Sequence, residues 1–377
     1  MHQVTLIDND KLKSFKHGDE IHQFDKQFKF YSVFNMKTGF YMRTGILDEN
    51  GKDTGVDPFM GSYPSLIDVG IMGRCLNGEK GLCLNAGVQC YQNGKNISKP
   101  NMTLNDFKTI VDQCKGKIQQ FALGGRGDPN KHEHFGEILS YCRDNYIVPN
   151  YTTSGLDLTD TEIELTKSCC GAVAISWYRN DHTISAIKRF IDYGCKTNIH
   201  YVLGNNTIDE AIERIINDSF PKGINAVIFL LHKPVGLGCQ NNVIKPNDPK
   251  LKHFFSLIDT CKPSFKIGFD SCTVPGILNY TNNVSSYSID SCEGGRYSHY
   301  ISSDMIAIPC SFDQDFKWGV DLKQFTLEEA WNSEQFNEFR LHMKNSCPSC
   351  TKRDLCMGGC PIKREIVLCD LKEKDLK

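Results

Sequence analysis

Between residues 65 and 270, short apolar runs alternate with segments of helical period, and this alternation restricts the fold more than any other feature of the chain. The runs at 65–73, 117–125, 147–155, 171–178, 196–204, 225–234 and 265–270 read as strands. Amphipathic segments lie between them. Two begin with capping-box spacing: Thr103 stands three residues before Asp106, and Thr159 three before Glu162. Apolar strands joined by helices imply an α/β fold in which a parallel sheet is covered by helices. Such folds hold their active sites at the carboxyl ends of the strands. The loops that follow the strands are therefore where chemistry is expected.

The flanks differ. Residues 1–64 read as a β-rich N-terminal extension, with two aromatic runs forming a hairpin about a turn at 35–39. After residue 271 the chain becomes rich in Ser, Asn, Gly and Tyr, and only 326–344 reads as a helix, capped by Thr326 with Glu329 as its box partner. A segment with so little apolar period is expected to depend on bound metal for its stability. Hydrophobic content of 40% and charged content of 23% are those of a chain that buries a full core. A net charge of −2 gives no reason to expect nucleic acid or an acidic membrane surface as a partner. The N-terminus has no apolar signal-peptide core, and no run reaches the length of a membrane helix, so a cytoplasmic location is expected.

Eighteen cysteines are then the anomaly, because a reducing compartment disfavours structural disulfides and clustered thiols there more often bind metal. Cys75, Cys83 and Cys90 form one group, directly after the first strand. Cys272, Cys292, Cys310, Cys347, Cys350, Cys356, Cys360 and Cys369 form a second. The other seven (Cys114, Cys142, Cys169, Cys170, Cys195, Cys239 and Cys261) sit within ordinary helix or strand patterns and read as small buried hydrophobes. The spacing Cys347-x2-Cys350-x5-Cys356-x3-Cys360 lets several thiolates converge on one soft metal centre, either zinc or an iron–sulfur cluster. Eight downstream thiols suffice for two four-cysteine sites. The upstream trio supplies only three ligands, so a cubane held there would keep one iron open to a bound molecule.

This arrangement resembles the radical S-adenosylmethionine (SAM) family with a C-terminal SPASM domain, over about residues 65–370. The resemblance implies a partial (β/α)6 barrel at 65–271 and an auxiliary-cluster domain at 272–377. It implies three [4Fe–4S] clusters and SAM as cofactors. The trio would hold the cluster whose open iron binds SAM, and reductive cleavage there would give a 5′-deoxyadenosyl radical. Cys272, Cys292, Cys310 and Cys360 would hold the first auxiliary cluster, and Cys347, Cys350, Cys356 and Cys369 the second. The stretch Gly124-Gly125-Arg126-Gly127-Asp128-Pro129 is similar to the family's glycine-rich motif near the SAM amino group, with Asp128 the acid nearest the ammonium and Arg126 free to pair with it or to reach the SAM carboxylate. Thr153 in Tyr151-Thr152-Thr153-Ser154-Gly155, Ser176, and Leu230 with Leu231 fall where the family meets other parts of SAM.

The chain also departs from the family pattern. Its cluster loop is Cys-x7-Cys-x6-Cys, where the family has x3 and x2. Gln89 replaces the aromatic residue before the third cysteine, with Tyr91 beside it, and Met305 occupies a position usually held by glycine. The resemblance implies a maturase that crosslinks, epimerises or oxidises a ribosomally made peptide or protein. A flavodoxin or ferredoxin would be the reductant. Other readings are radical chemistry on a small molecule or an enzyme side chain, or a metal-stabilised binding or electron-transfer protein. Substrate selection is expected from the barrel mouth and the N-terminal extension, with His232, Arg179, Asp270 and Tyr297 as candidates.

Overall fold

A computed structural model describes residues 3–344, 347 and 350–370. Its first five strands, β1 (Gln3–Asp8), β2 (Leu12–His17), β3 (Glu20–Asp25), β4 (Phe30–Asn35) and β5 (Tyr41–Arg43), form an antiparallel meander in sequence order. The expected hairpin is the β4–β5 pair, closed by Gly39 N donating to Asn35 O at 2.8 Å.

Seven strands follow in parallel: β6 (Leu66–Val69), β7 (Gln120–Leu123), β8 (Val148–Thr153), β9 (Val173–Ser176), β10 (Thr197–Leu203), β11 (Ala226–Leu231) and β12 (Lys266–Phe269). Each sits beside its predecessor, and helices connect them, so the α/β reading with a parallel sheet holds. Thr159 and Glu162 make the anticipated capping box, and the Thr103 hydroxyl accepts from Asp106 N. The helix Leu104–Cys114 buries Phe107, Ile110, Val111 and Cys114 against the sheet. Burial of a large aliphatic or aromatic side chain of this kind contributes roughly 1.5–3 kcal/mol.

The sheet is wider than six units. Strand β13 (Ser298–Ile301), from the cysteine-rich segment, pairs in parallel with β6, placing Tyr300 beside Asp68. Strands β14 (Ile306–Ile308) and β15 (Val320–Asp321) continue antiparallel from it, giving ten strands in the order β12-β11-β10-β9-β8-β7-β6-β13-β14-β15. The sheet thus runs straight through the boundary expected at 271/272. The turn from β13 to β14 passes through Met305 with φ +68°, the left-handed geometry that favours glycine. The single helix expected at 326–344 is two, Leu327–Trp331 and Glu334–Lys344, broken at Asn332 and Ser333. Its capping box of Thr326 and Glu329 is as read.

The N-terminal sheet lies against the amino ends of the parallel strands. Ile21 and Phe34 pack on Val148, the first residue of β8. The Gln23 amide donates to the carbonyls of Gly116 and Lys117 and accepts from Gln119 at 2.8 Å, just before β7. Lys196, just before β10, donates to Thr38 O. The extension thus covers the end of the sheet opposite the carboxyl ends of the strands.

Candidate active site

Along β10 the side chains alternate, with Thr197, Ile199, Tyr201 and Leu203 buried against helices and Asn198, His200 and Val202 on the other face. The same alternation on the neighbouring strands sends Asp68, Ala122, Thr152, Ser176 and Leu230 to that other face. With His200 and Val202 they line a cavity of about 380 Å³ at the carboxyl ends of the strands. That volume suits a small-molecule ligand.

The loop after β6 brings Cys75, Cys83 and Cys90 to the cavity wall. Its unusual length is taken up by two single-turn helices, Leu76–Glu79 and Leu82–Asn85, which return the chain so that all three thiols line one cavity. Cys75 caps the first of these, its Sγ accepting from Gly78 N at 3.1 Å. Burial pushes the Cys75 thiol up to about 12, and the neighbouring Cys90 and Cys83 add to it. Gly94 closes the loop beside them, where a Cβ would lie 2.9 Å from Cys75 Cβ and 3.7 Å from Cys90 Sγ. Gln89 ties the loop to the following chain, accepting from Cys239 N at 2.8 Å and donating to Cys239 Sγ.

The glycine-rich stretch lies beside the trio. A Cβ on Gly124 would meet nothing within 4 Å, so this glycine faces open cavity. Gly125 has φ +88°, and a Cβ there would lie 2.5 Å from the Tyr300 hydroxyl. Asp128 lines the cavity, but its carboxylate accepts from Ser154 N at 2.7 Å and Ser154 Oγ at 2.5 Å, and it does not cap the short helix that follows. Burial raises its pKa against the lowering effect of those bonds. Among the described residues Arg126 makes no ion pair with Asp128, and it is not on the cavity wall. Its guanidinium donates to the carbonyls of Gln92 and Gly73, clamping the cysteine loop.

Ser176, Leu230 and Leu231 line the cavity as the sequence reading has them, whereas Thr153 is 1% exposed and its Oγ1 accepts from Gly155 N. Thr152 takes the cavity position, because adjacent residues of a strand face opposite ways. Of the substrate candidates, His232 and Asp270 are cavity residues. Arg179 pairs with Glu210 outside it, and Tyr297 is buried behind the sheet between Phe30 and the guanidinium of Arg43. Sequence reading missed Asp68, Tyr178, His200, Lys233, Tyr300 and Phe312 on the wall. Only inward register along the strands would have found the first and third. Burial holds the His200 imidazole down to about 4, so it is neutral at physiological pH.

The downstream cysteines form two sets. Cys272 adjoins Cys360, Cys292 feels Cys272, and Cys310 feels both Cys292 and Cys272. A Cβ on Gly294 would lie 2.8 Å from Pro309 O, so only glycine fits at this point, in contact range of Cys292 Sγ and Cys310 Cβ. Cys347, Cys350, Cys356 and Cys369 line a separate cavity of about 860 Å³. Burial pushes Cys292 up to about 12 and Cys356 up to about 11. Thiols held so far above neutrality ionise only when a metal takes up the charge. Among the described residues no three His, Cys, Asp or Glu side chains close around one point as a lone metal ion requires. A cubane presents a separate iron to each thiolate, and the three sets fit such a group in donor type and number.

The isolated cysteines divide. Cys114 and Cys142 are fully buried in the main core, and Cys169, Cys170, Cys195 and Cys261 pack against it. Cys239 instead meets Gln89 at the cysteine loop.

Residues 292–353 match the SPASM iron–sulfur cluster-binding domain. The matched stretch contains Cys292, Cys310, Cys347 and Cys350, while Cys356, Cys360 and Cys369 lie beyond it. No curated protein sequence shows a significant match. Among solved structures the chain is similar to SuiB of Streptococcus suis bound to S-adenosylmethionine, with TM-score 0.65 and 14% identity over 91% of this chain and 97% of that one. It is similar to SuiB bound to precursor peptide SuiA, with TM-score 0.67 and 14% identity over 94% and 99%. It also resembles anSMEcpe with bound AdoMet, with TM-score 0.57 and 16% identity over 83% and 89%. At these identities the likeness is one of fold.

Proposed function

We propose, for a chain that has the radical SAM fold and a C-terminal SPASM domain, that it modifies a peptide or protein by hydrogen abstraction at the cavity described above. The observation that carries this reading is the meeting of three thiols, Cys75, Cys83 and Cys90, with the open face of Gly124 in one cavity at the carboxyl ends of the strands. Three ligands, not four, suit a cluster that binds SAM through its remaining iron. Cysteine-bound [4Fe–4S] clusters and SAM supply the radical chemistry, with one cluster on the trio and one on each downstream set.

The chain's own groups do the rest. Gly124 and Gly125 let the backbone approach the methionine end of SAM, Asp128 and Ser154 offer polar atoms there, and Thr152 and Ser176 suit its carboxylate or ribose. Leu230 and Leu231 give the adenine an apolar wall. The buried neutral His200 helps exclude water from the place where a radical would form. A peptide substrate is favoured because SuiB was solved with its precursor peptide SuiA and anSMEcpe with the Cp18Cys peptide. A low-potential one-electron donor such as a flavodoxin or ferredoxin would supply the electrons.

The test is anaerobic reconstitution followed by assay of 5′-deoxyadenosine under dithionite. Three clusters require about 12 iron atoms per chain. Replacing Cys75, Cys83 and Cys90 with Ala should abolish SAM cleavage, whereas replacing Cys347 and Cys350 should spare part of it and remove product. About 4 iron atoms with added zinc, or SAM cleavage by the triple variant, would overturn the reading.

A further inference from the structure

Lys233 lies two residues beyond β11 with its side chain 4% exposed, and its ammonium pairs with the Asp270 carboxylate. Asp270 is heavily engaged. The same Oδ2 accepts from Leu231 N at 3.1 Å, and Oδ1 accepts from Thr273 Oγ1 at 2.7 Å. The Lys233 ammonium also stands 4.5 Å from the ring centroid of Phe312, the second residue after Cys310, and Asp270 is the second residue before Cys272. Lys233 is therefore enclosed by the two segments that carry Cys272 and Cys310. Electrostatically it faces Cys272 and Cys360, and it opposes the upward shift of Cys310. Among the described residues no other Lys or Arg lines this cavity, while the Arg296 guanidinium, which donates to Cys292 O at 3.2 Å, acts on the Cys292 thiol from outside it.

One buried cation thus meets one carboxylate and several thiols that become thiolates on binding a cluster. A [4Fe–4S] centre held by four thiolates gains a further negative charge on reduction, so a buried positive charge beside it stabilises the reduced form. Solvent ions screen little at such depth. We propose, resting on the reading above that Cys272, Cys292, Cys310 and Cys360 hold a cluster, that Lys233 is a counter-charge of this first auxiliary cluster on its cavity side and a positioning residue that raises its reduction potential. Lys233, Asp270 and Phe312 line the cavity, and a centre at raised potential beside them would be suited to take one electron from a substrate radical that loses one electron and one proton.

The experiment is an EPR-monitored redox titration of the reconstituted full chain, with the signal of this cluster assigned by its loss in Cys292→Ala/Cys310→Ala protein. Lys233→Met and Lys233→Gln should move the midpoint of that cluster to more negative potential at unchanged iron content, while the other two clusters keep theirs. The Gln amide still donates to Asp270, so this variant keeps the buried carboxylate partnered if the Met variant does not fold. Lys233→Arg should restore the parent potential. An unmoved midpoint in the neutral variants, or an equal shift in all clusters, overturns the proposal while leaving the functional reading intact. A parent protein whose iron content and spectra are unaffected by Cys292→Ala/Cys310→Ala overturns both.

Discussion

The ring of Tyr91, the residue after Cys90, packs on that of Phe312, the second residue after Cys310, with centroids 4.6 Å apart and planes inclined at 45°. This contact joins the loop of the upstream trio to the segment carrying one thiol of the first downstream set. An aromatic pair contributes about 0.5–1.5 kcal/mol beyond the area it buries. A double-mutant cycle on Tyr91→Ala and Phe312→Ala, followed by thermal unfolding, should give a coupling energy of that size. Purely additive single effects would show that the two loops are held independently.

The two adjacent glycines should respond differently to a methyl group. Gly125→Ala forces a side chain into φ +88° and against the Tyr300 hydroxyl, so a loss of roughly 1 kcal/mol or more is expected, part of it recovered by Tyr300→Phe. Gly124→Ala meets nothing within 4 Å. Its melting temperature should stay near that of the parent while SAM affinity falls, as measured by equilibrium dialysis. Normal SAM binding by Gly124→Ala would place the ligand elsewhere.

Asp128 accepts two of the bonds that fix Ser154 just beyond β8. Removing a buried acceptor leaves its donors unpaired at a cost of about 1–3 kcal/mol. Asp128→Ala should therefore melt earlier. If the carboxylate also meets the SAM ammonium, SAM affinity should fall roughly tenfold or more at unchanged iron content. Lower stability with unaltered affinity would reduce its role to latching Ser154.

The Asp68 side chain makes no hydrogen bond among the described residues, and burial, with Glu293 adding, pushes its carboxyl up to about 7. Tyr91 and Tyr300 also face it. The folded pKa lies above the unfolded value of about 3.9, so the fold prefers the neutral acid. Stability from this group is full below about pH 4 and is lost as pH rises toward 7. Asp68→Asn removes that dependence. Its gain in melting temperature over the parent should be largest near pH 8 and smaller at pH 5.5. An equal gain at both pH values would show that Asp68 is already ionised in the fold.

Much of this molecule was readable in its one-dimensional pattern, because those features act over a few residues. The capping boxes at Thr159 and Thr326, the Thr103 cap, and the strand–helix alternation from β6 to β12 are local and periodic. The grouping of Cys347, Cys350 and Cys356 is a matter of short spacing. The cysteine loop at 75–90 was recognisable by its place after the first strand, although its length is explained only by the two helical turns within it.

What tertiary structure alone decided depends on residues far apart in sequence. Thr152 instead of Thr153 faces the cavity, since a shift of one residue along β8 exchanges the two faces of the sheet. The N-terminal sheet covers the amino ends of the strands because Ile21 and Phe34 find Val148 there, a pairing that no local pattern encodes. Strand β13 joins the sheet beside β6 across more than two hundred residues, since an open sheet edge offers unpaired backbone groups that must be satisfied. Nothing in the sequence singles out Lys233. It is buried and poised over Phe312 only because β11, β12 and the Cys310 segment converge, and a single charge enclosed that way needs partners that only the folded chain supplies.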